Sequence, residues 1–398
     1  MMRIWQMLPS LSAGDGVGNE ALAIDGILKQ AGYETGIYAD YIAPNVPQGV
    51  AWHIDSLPEM KETDILIYHL SIGSRLNGML ESMRCRILFR YHNITPAAYF
   101  AGYNPAMEKK CREGLWQIRK LAKVPYRVLA ASAFNREHLR SLGYRCQIDV
   151  LPVLIPVEEY RRKPDQTFLE KYQDQERFNL LFVGRICPNK KQEDLIRAFA
   201  YYQKQCNSRA RLFLAGGYSG MELYRNELAE YTRLLGLNEE QVIFTGSIRF
   251  EEILACYRLA DVFWCMSEHE GFCIPLVEAM LFGVPILARD TSAVADTLGR
   301  GGMLLKSRSP KEWAEQTELV RREDIRREVL NGQQLQLEKY QYSTLKERLL
   351  RILEEREARC RQLMWIKSWR RSGRRSGIKA IRKRIWIFRT LPLLPPEL

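Results

Sequence analysis

The chain has 398 residues, of which 46% are hydrophobic, enough for large buried cores and incompatible with a disordered chain. A formal charge of +12 suggests an acidic partner for the whole molecule, yet from Ala358 onward 12 Lys/Arg stand against Glu397 alone, leaving 47 basic and 46 acidic residues elsewhere. Nine scattered cysteines without a Cys-x-x-Cys pair fit reduced, mostly buried thiols better than a disulfide framework or a zinc site. No run approaches the roughly 18–20 apolar residues of a spanning helix. The start, Met1 to Pro9, carries no apolar stretch of signal-peptide length, so the expected location is cytoplasmic and the Asn93-Ile94-Thr95 sequon is discarded.

In chain order, short β-rich runs alternate with amphipathic stretches, the pattern of a parallel α/β protein. Strands are expected at 3–8, 33–39, 65–70, 86–91, 127–131 and 148–153, with helices at 19–30, 105–121 and 133–142 between them. Pro152, Pro156 and a polar stretch from Glu158 to Gln175 read as an interdomain linker and the entry to a second α/β unit. A second unit follows, with strands at 178–184, 211–215, 241–245, 262–265 and 284–288 and helices at 192–202, 222–235 and 250–259. Helices then run from about 310 to 357, with Thr344-Leu-Lys-Glu347 read as a capping box. The expected division is 1–155, 156–340, a helix over 341–357 that crosses back to the first domain, and a tail over 358–398. Two α/β domains of this kind place a ligand in the cleft between them, at the strand C-termini.

The chemistry-bearing residues sit in the loops that leave those strands. Gly184-Arg185-Ile186-Cys187-Pro188-Asn189-Lys190 follows one strand, and its two cations either grip a diphosphate or are solvated loop charges. After the strand 262–265 comes Ser267-Glu268-His269-Glu270-Gly271-Phe272-Cys273-Ile274-Pro275-Leu276-Val277-Glu278-Ala279-Met280. Pro275 marks the first turn of a helix whose unpaired amides suit an anion. Glu270 and Glu278 flank it, either gripping sugar and ribose hydroxyls or complementing the helix dipole.

The segment EGFCIPLVEAM, with Phe282-Gly283-Val284-Pro285-Ile286 after it and Gly184-Arg185…Lys190 before it, resembles the signature of the retaining group 1 glycosyltransferases (family 4), which have the GT-B fold of two Rossmann-like domains facing a cleft. Phe244-Thr-Gly246-Ser-Ile248 and Ala260-Asp261-Val262 fit the same pattern. The likeness is strong over 178–305 and weaker over 1–155. It implies that Arg185 and Lys190 hold the donor diphosphate, Glu278 the ribose and Glu270 the donor sugar. It also implies that backbone at Gly271, Phe272 and Cys273 faces the sugar or its phosphate, and that backbone near Gly246 and Ile248 faces the nucleobase. Cys273 replaces a usual Gly, and Ala295-Asp296 replaces a usual Pro-Glu, which leaves the role of that turn open.

In the first half, Gly14-Asp15-Gly16-Val17-Gly18-Asn19 joins a strand to a helix and is similar to the family's loop beside the donor phosphates. As a dinucleotide fingerprint it fails, because the third glycine position is Asn19, although Asp40 ends the next strand where a ribose-binding acid would stand. His92 closes the strand 86–91, and the resemblance places a His there near the donor sugar. Ala131-Ser132, after the next strand, resembles a further cleft-lining spot of the family. No Asp-x-Asp metal-chelating motif occurs, so no metal is expected and the cations and helix N-terminus would stabilise the leaving nucleoside diphosphate. The donor is expected to be UDP- or GDP-linked, with no other cofactor.

Beyond Glu357, Ile378, Ile381, Ile385 and Phe388 recur at helical spacing among Lys379, Arg382, Lys383, Arg384 and Arg389. This basic amphipathic C-terminal tail suggests an anionic membrane surface as partner, peripheral on the inner face of the cell membrane. Nucleic acid would use the same charges but would leave the cleft motifs unexplained, and a solvated tail is the plainer alternative. The sequence thus predicts transfer of a sugar from a nucleotide sugar to a lipid-linked or polysaccharide glycan acceptor, Glu270, His92, Arg185 and Lys190 carrying the chemistry. The competing reading is a non-catalytic GT-B-fold partner or glycan-binding protein.

Overall fold

The computed structural model describes residues 3–354. Chain through Lys346 forms one compact unit. This unit holds two parallel sheets. The N-terminal sheet comprises β1 (Arg3–Leu11), β2 (Glu34–Ile42), β3 (Trp52–His53), β4 (Ile65–Leu70), β5 (Arg86–Tyr91), β6 (Arg127–Ala130) and β7 (Gln147–Val150), in the order β3-β2-β1-β4-β5-β6-β7. The C-terminal sheet comprises β8 (Phe178–Val183), β9 (Ala210–Ala215), β10 (Val242–Gly246), β11 (Val262–Cys265), β12 (Ile286–Arg289) and β13 (Met303–Leu305), in the order β10-β9-β8-β11-β12-β13. Helices α1 (Gly16–Gln30), α2 (Arg75–Met79), α3 (Pro105–Lys120) and α4 (Ala133–Ser141) serve the first sheet. The second has α5 (Gln166–Tyr172), α6 (Gln192–Gln205), α7 (Glu222–Leu234), α8 (Phe250–Leu259), α9 (Ile274–Leu281), α10 (Val294–Leu298), α11 (Pro310–Arg321) and α12 (Glu323–Leu337).

The expectation of two Rossmann-like halves holds, and the reason is visible in the strands. Every residue of β4, Ile-Leu-Ile-Tyr-His-Leu, is buried, as is every residue of β9, because helices cover both faces of a parallel sheet. Gln6 pairs with Ile37 on one side and Ile67 on the other, so β1 is where the strand order reverses; β8 plays that part between β9 and β11. Ligands bind at such reversal points, outside the strand C-termini. The loops after β1, β8 and β11 are the ones that carry the motifs.

The structure sharpens three readings. The stretch read as linker and entry to the second unit contains α5, capped by Asp165 accepting from the Phe168 amide, and its Phe168 and Tyr172 rings pack at 4.7 Å. A helix already runs from residue 342, so Thr344 lies inside it and the capping box fails. The strands β3 and β13 escaped notice because edge strands of two and three residues show no periodicity. The end of the 341–357 helix beyond 354 and the whole 358–398 tail lie outside the described residues.

Candidate active site

Loops from both sheets converge on the segment between β11 and α9. Lys190, which ends a one-turn 3-10 helix after β8, donates from Nζ to Glu270 Oε1 at 2.5 Å. Burial opposes the Lys190 ammonium, but the Glu270 carboxylate outweighs it and holds this lysine above its ordinary range. The two loops are also tied through Asn189, whose carbonyl accepts from the Glu268 amide at 2.8 Å and whose Nδ2 donates to the His269 carbonyl at 3.0 Å. The cation and the carboxylate are therefore fixed by backbone contacts around them.

Directly after Glu270, the amides of Gly271, Phe272 and Cys273 meet no acceptor among the described residues. Three successive unpaired amides at the start of α9 are donors of the kind that suit an anion. Cys273 is the N-cap of α9 and takes a left-handed backbone, φ +72° and ψ +69°. For a residue with a Cβ this costs about 1–2 kcal/mol relative to glycine. Gly271 is needed for another reason: a Cβ there would press into the His92 carbonyl oxygen and the Asn93 side chain. The two halves meet at this point, and His269 Nε2 lies 2.9 Å from Asn93 Oδ1. Phe272 turns away from the loop surface and packs its ring at 5.6 Å from Tyr340, near Val153 and Ile155.

Glu278 lies one turn into α9 and is buried. Its Oε1 accepts from the Tyr160 hydroxyl at 2.6 Å and its Oε2 from the Tyr257 hydroxyl at 2.7 Å. Burial raises its carboxyl pKa despite those two donors. Each oxygen keeps a second lone pair, so the carboxylate can still accept from a ligand hydroxyl. Neither tyrosine was visible to sequence reasoning: Tyr160 sits in the supposed linker and Tyr257 in an ordinary amphipathic helix.

Arg185 stands apart from the Lys190–Glu270 pair. It is exposed and donates to the Ser219 carbonyl at 2.7 Å, in the loop between β9 and α7. Asp15, across the cleft, feels its charge; burial raises the Asp15 carboxyl against the Val17 and Gly18 amides and Arg185. Asp15 also shapes the glycine loop. Its Oδ1 caps α1 by accepting from the Val17 amide at 3.0 Å, which occupies one of the amides at that helix start. Gly14 is left-handed at φ +86°, and a Cβ on Gly16 would stand 2.9 Å from Ile274 Cδ1 of α9. The loop thus serves close approach of the two halves.

His92 follows β5 with its ring turned inward, the side chain 8% exposed. Its Nε2 lies 3.0 Å from His69 Nδ1, and His69 Nε2 lies 2.9 Å from Gln6 Oε1. Gln6 Nε2 donates to the Ala21 carbonyl, so its Oε1 must accept from His69. Burial holds both imidazoles well below the usual histidine range and hence neutral. His69 then carries its proton on Nε2 and accepts at Nδ1 from His92 Nε2–H. The remaining edge of His92, Nδ1, lies 3.6 Å from Glu20 Oε2, and Glu20 is paired with Arg90 at 2.6 Å, both side chains fully buried.

The remaining expected positions spread along the cleft. Ile248 lines a cavity of about 490 Å³ with Phe244, Thr245, Phe168 and Tyr172, whereas Gly246, left-handed at φ +68°, faces Tyr218. Ser132 caps α4 by accepting from the Asn135 amide. Asp40 pairs with Arg75 at 2.6 Å. Asp296, from the turn that lacks Pro-Glu, accepts from the Phe134 amide at 2.8 Å and so joins the two halves. The cysteines, expected to be scattered and no metal site, are not all apart: Cys265 and Cys273 place their sulfurs 3.9 Å from each other.

Residues 165–334 match the family model of glycosyl transferases group 1. D-inositol 3-phosphate glycosyltransferase of Nocardia farcinica is 34% identical over 138 residues, 34% of this chain and 30% of that protein. O-antigen chain mannosyltransferase B of Escherichia coli is 28% identical over 202 residues, half of each. The matched stretch thus spans half or less of these relatives. Among solved structures, Anabaena Alr3699/HepE in complex with UDP and glucose superposes with a TM-score of 0.69 at 18% identity, covering 89% of this chain and all of that one. That likeness shows the GT-B fold.

Proposed function

We propose, from the match of residues 165–334 to glycosyl transferases group 1, that this chain transfers a sugar from a nucleoside diphosphate sugar to a glycan or lipid-linked acceptor, with retention at the anomeric carbon and without a divalent metal. The observation that carries this reading is the arrangement at the α9 start: Lys190 beside Glu270, with three unpaired amides following. A diphosphate has the charge to draw Lys190 from Glu270 and to fill the amides, while Glu270, released from its ion pair, accepts from a sugar hydroxyl. Arg185 supplies a second cation as the leaving diphosphate gains charge. Glu278 grips the ribose through its free lone pairs.

The bond that breaks is between the anomeric carbon and the leaving phosphate oxygen, and the acceptor oxygen attacks the same face of an oxocarbenium-like centre. The departing phosphate takes the acceptor proton, so no side chain need act as base, and His92, whose two ring nitrogens face His69 and Glu20, supports the site from beneath rather than through a ring nitrogen on the sugar. The relatives' names favour a hexose: one is a mannosyltransferase of an O-antigen chain, and the similar solved structure holds UDP and glucose. Polysaccharide synthesis at the cytosolic membrane face, with the basic 358–398 tail on anionic lipid, follows as the setting.

A panel of UDP- and GDP-hexoses, scored for donor hydrolysis and transfer, tests the reading. One donor should turn over with retained anomeric configuration in the presence of EDTA. Absence of turnover and of binding for every donor would overturn it. Vesicles of anionic lipid should bind the whole chain and lose it on removal of 358–398.

A further inference from the structure

We propose that Cys265, Cys273 and Glu270 form a binding site for a thiophilic divalent cation, zinc by class, that closes the donor site when filled. One ligand atom from each of these three buried residues lies within 4.8 Å of the others. The two sulfurs are 3.9 Å apart. Two thiolates on a tetrahedral zinc, with bonds of about 2.3 Å, stand about 3.8 Å apart, so the pair needs almost no movement to bind. Thiolate ligands select such an ion over magnesium, calcium or manganese.

The surroundings fit an ion. Glu270 presents Oε1 to Lys190, leaving Oε2 for a metal, and Lys190 becomes the outer partner that orients the carboxylate. Charge balances as well: two thiolates and one carboxylate offset a divalent ion plus the Lys190 ammonium. The two thiol protons leave to solvent as the two metal–sulfur bonds form. The Cys265 thiol meets Ser267 Oγ at 3.5 Å, and that hydroxyl can turn to donate to the thiolate. Access comes from the cleft side, where the Lys190 side chain is 20% exposed.

The choice of residue at 273 supports the same conclusion. At φ +72° glycine is the strain-free residue, and the side chain present instead is a thiol aimed at another thiol. Filling the site would hold Glu270 on the metal and tighten the α9 start around Cys273. Occlusion of the donor rests on the transferase reading above; metal binding itself does not.

Cadmium, a spectroscopic stand-in for zinc, is titrated into the reduced full-length chain without any nucleotide sugar. One equivalent should give a thiolate-to-metal charge-transfer band in the ultraviolet, and zinc should displace it. Cys265→Ser and Cys273→Gly should each weaken binding at least about 100-fold, the upper end of what losing an outer-shell partner of a ligand costs, because each removes a ligand itself. Cys273→Gly suits the local backbone, so it keeps the test valid if the other variant folds poorly. Cys206→Ser, at an exposed cysteine, should change nothing. No band, a band that survives in both variants, or loss of two titratable thiols without metal (a disulfide) would overturn the site. With a donor in hand, zinc should raise the apparent KM at least tenfold in the native chain and leave Cys265→Ser unaffected; a bound metal with unchanged KM would overturn the occlusion. Failure of every donor to turn over would sink the transferase reading and leave the cadmium result to decide the metal site.

Discussion

The two halves of this molecule share one architecture and use it in opposite ways. Beneath the strand ends of the N-terminal sheet, Gln6, Glu20, His69 and Arg90 form a polar net with essentially no exposure. At the same place in the C-terminal sheet, Lys190 pairs with Glu270 at the edge of the cleft, the lysine 20% exposed. A sealed net has no other partner available and can only hold geometry. A half-open pair can exchange its partner for a ligand, because water or an anion can reach the cation as it lets go. The lesson is that a charge pair at the reversal point of a parallel sheet becomes functional through exposure rather than through its mere presence.

The largest expected effect tests the sealed side. Arg90→Met leaves Glu20 buried with only the Leu154 amide, and should lower stability by about 3–5 kcal/mol in denaturant unfolding. Donor affinity of the fraction that remains folded should stay close to native. On the open side, Glu270→Gln should cut kcat/KM by about 10²–10³-fold, as for the loss of one contact to developing charge, with little change in unfolding midpoint. If Arg90→Met spared stability while Glu270→Gln unfolded the protein, the contrast between sealed and open pairs would be lost.

That contrast also explains what was legible in the sequence. Glu270, Gly271, Cys273 and Glu278 lie within nine residues on one loop and helix, so their spacing could be matched to a family pattern. The N-terminal net joins Gln6, Glu20, His69 and Arg90 from β1, α1, β4 and β5, and only the completed sheet brings them together. His92 was found from its place at a strand end, but its inward orientation depends on His69, which read as an ordinary strand residue. Asp15 was passed over because its glycine neighbours drew attention to the backbone amides there, one of which, that of Val17, Asp15 itself caps. Strand identity was readable throughout because continuous apolar runs mark buried parallel strands, whereas the two short edge strands carried no such signal.

A smaller effect separates the ribose carboxylate from the sugar carboxylate. Tyr257→Phe removes one donor from Glu278, a hydrogen bond to a charged group worth about 1.5–3 kcal/mol. Burial already raises the Glu278 carboxyl, and without Tyr257 it should rise further. The protonated form loses an acceptor for the ribose, so the donor KM should climb on the acid side at a higher pH than in the native chain. At alkaline pH, where the carboxylate is restored, the two proteins should converge. A KM ratio that stays constant across pH would assign Tyr257 to packing alone.

The last expected effect is a slope rather than a step. His69 and His92 in the N-terminal half are held neutral well below the usual range by burial, and His269 in the C-terminal half is lowered by burial to about 4. In the unfolded chain each titrates near 6.5. Below that pH the unfolded state therefore binds more protons than the folded one, and stability falls as pH falls, by up to about 1.4 kcal/mol per pH unit for each imidazole. The contribution is fully present above 6.5. For His269 the loss levels off near pH 4, where the folded imidazole also protonates; for the sealed pair it continues lower. Replacing both His69 and His92 with Gln should flatten the slope below pH 4 as well as above it, whereas His269→Asn should act only between about 4 and 6.5. Denaturant midpoints measured from pH 7 to 3.5 would separate these shapes. Equal flattening by the two replacements over the same window would mean that the N-terminal net opens to water as readily as the cleft does.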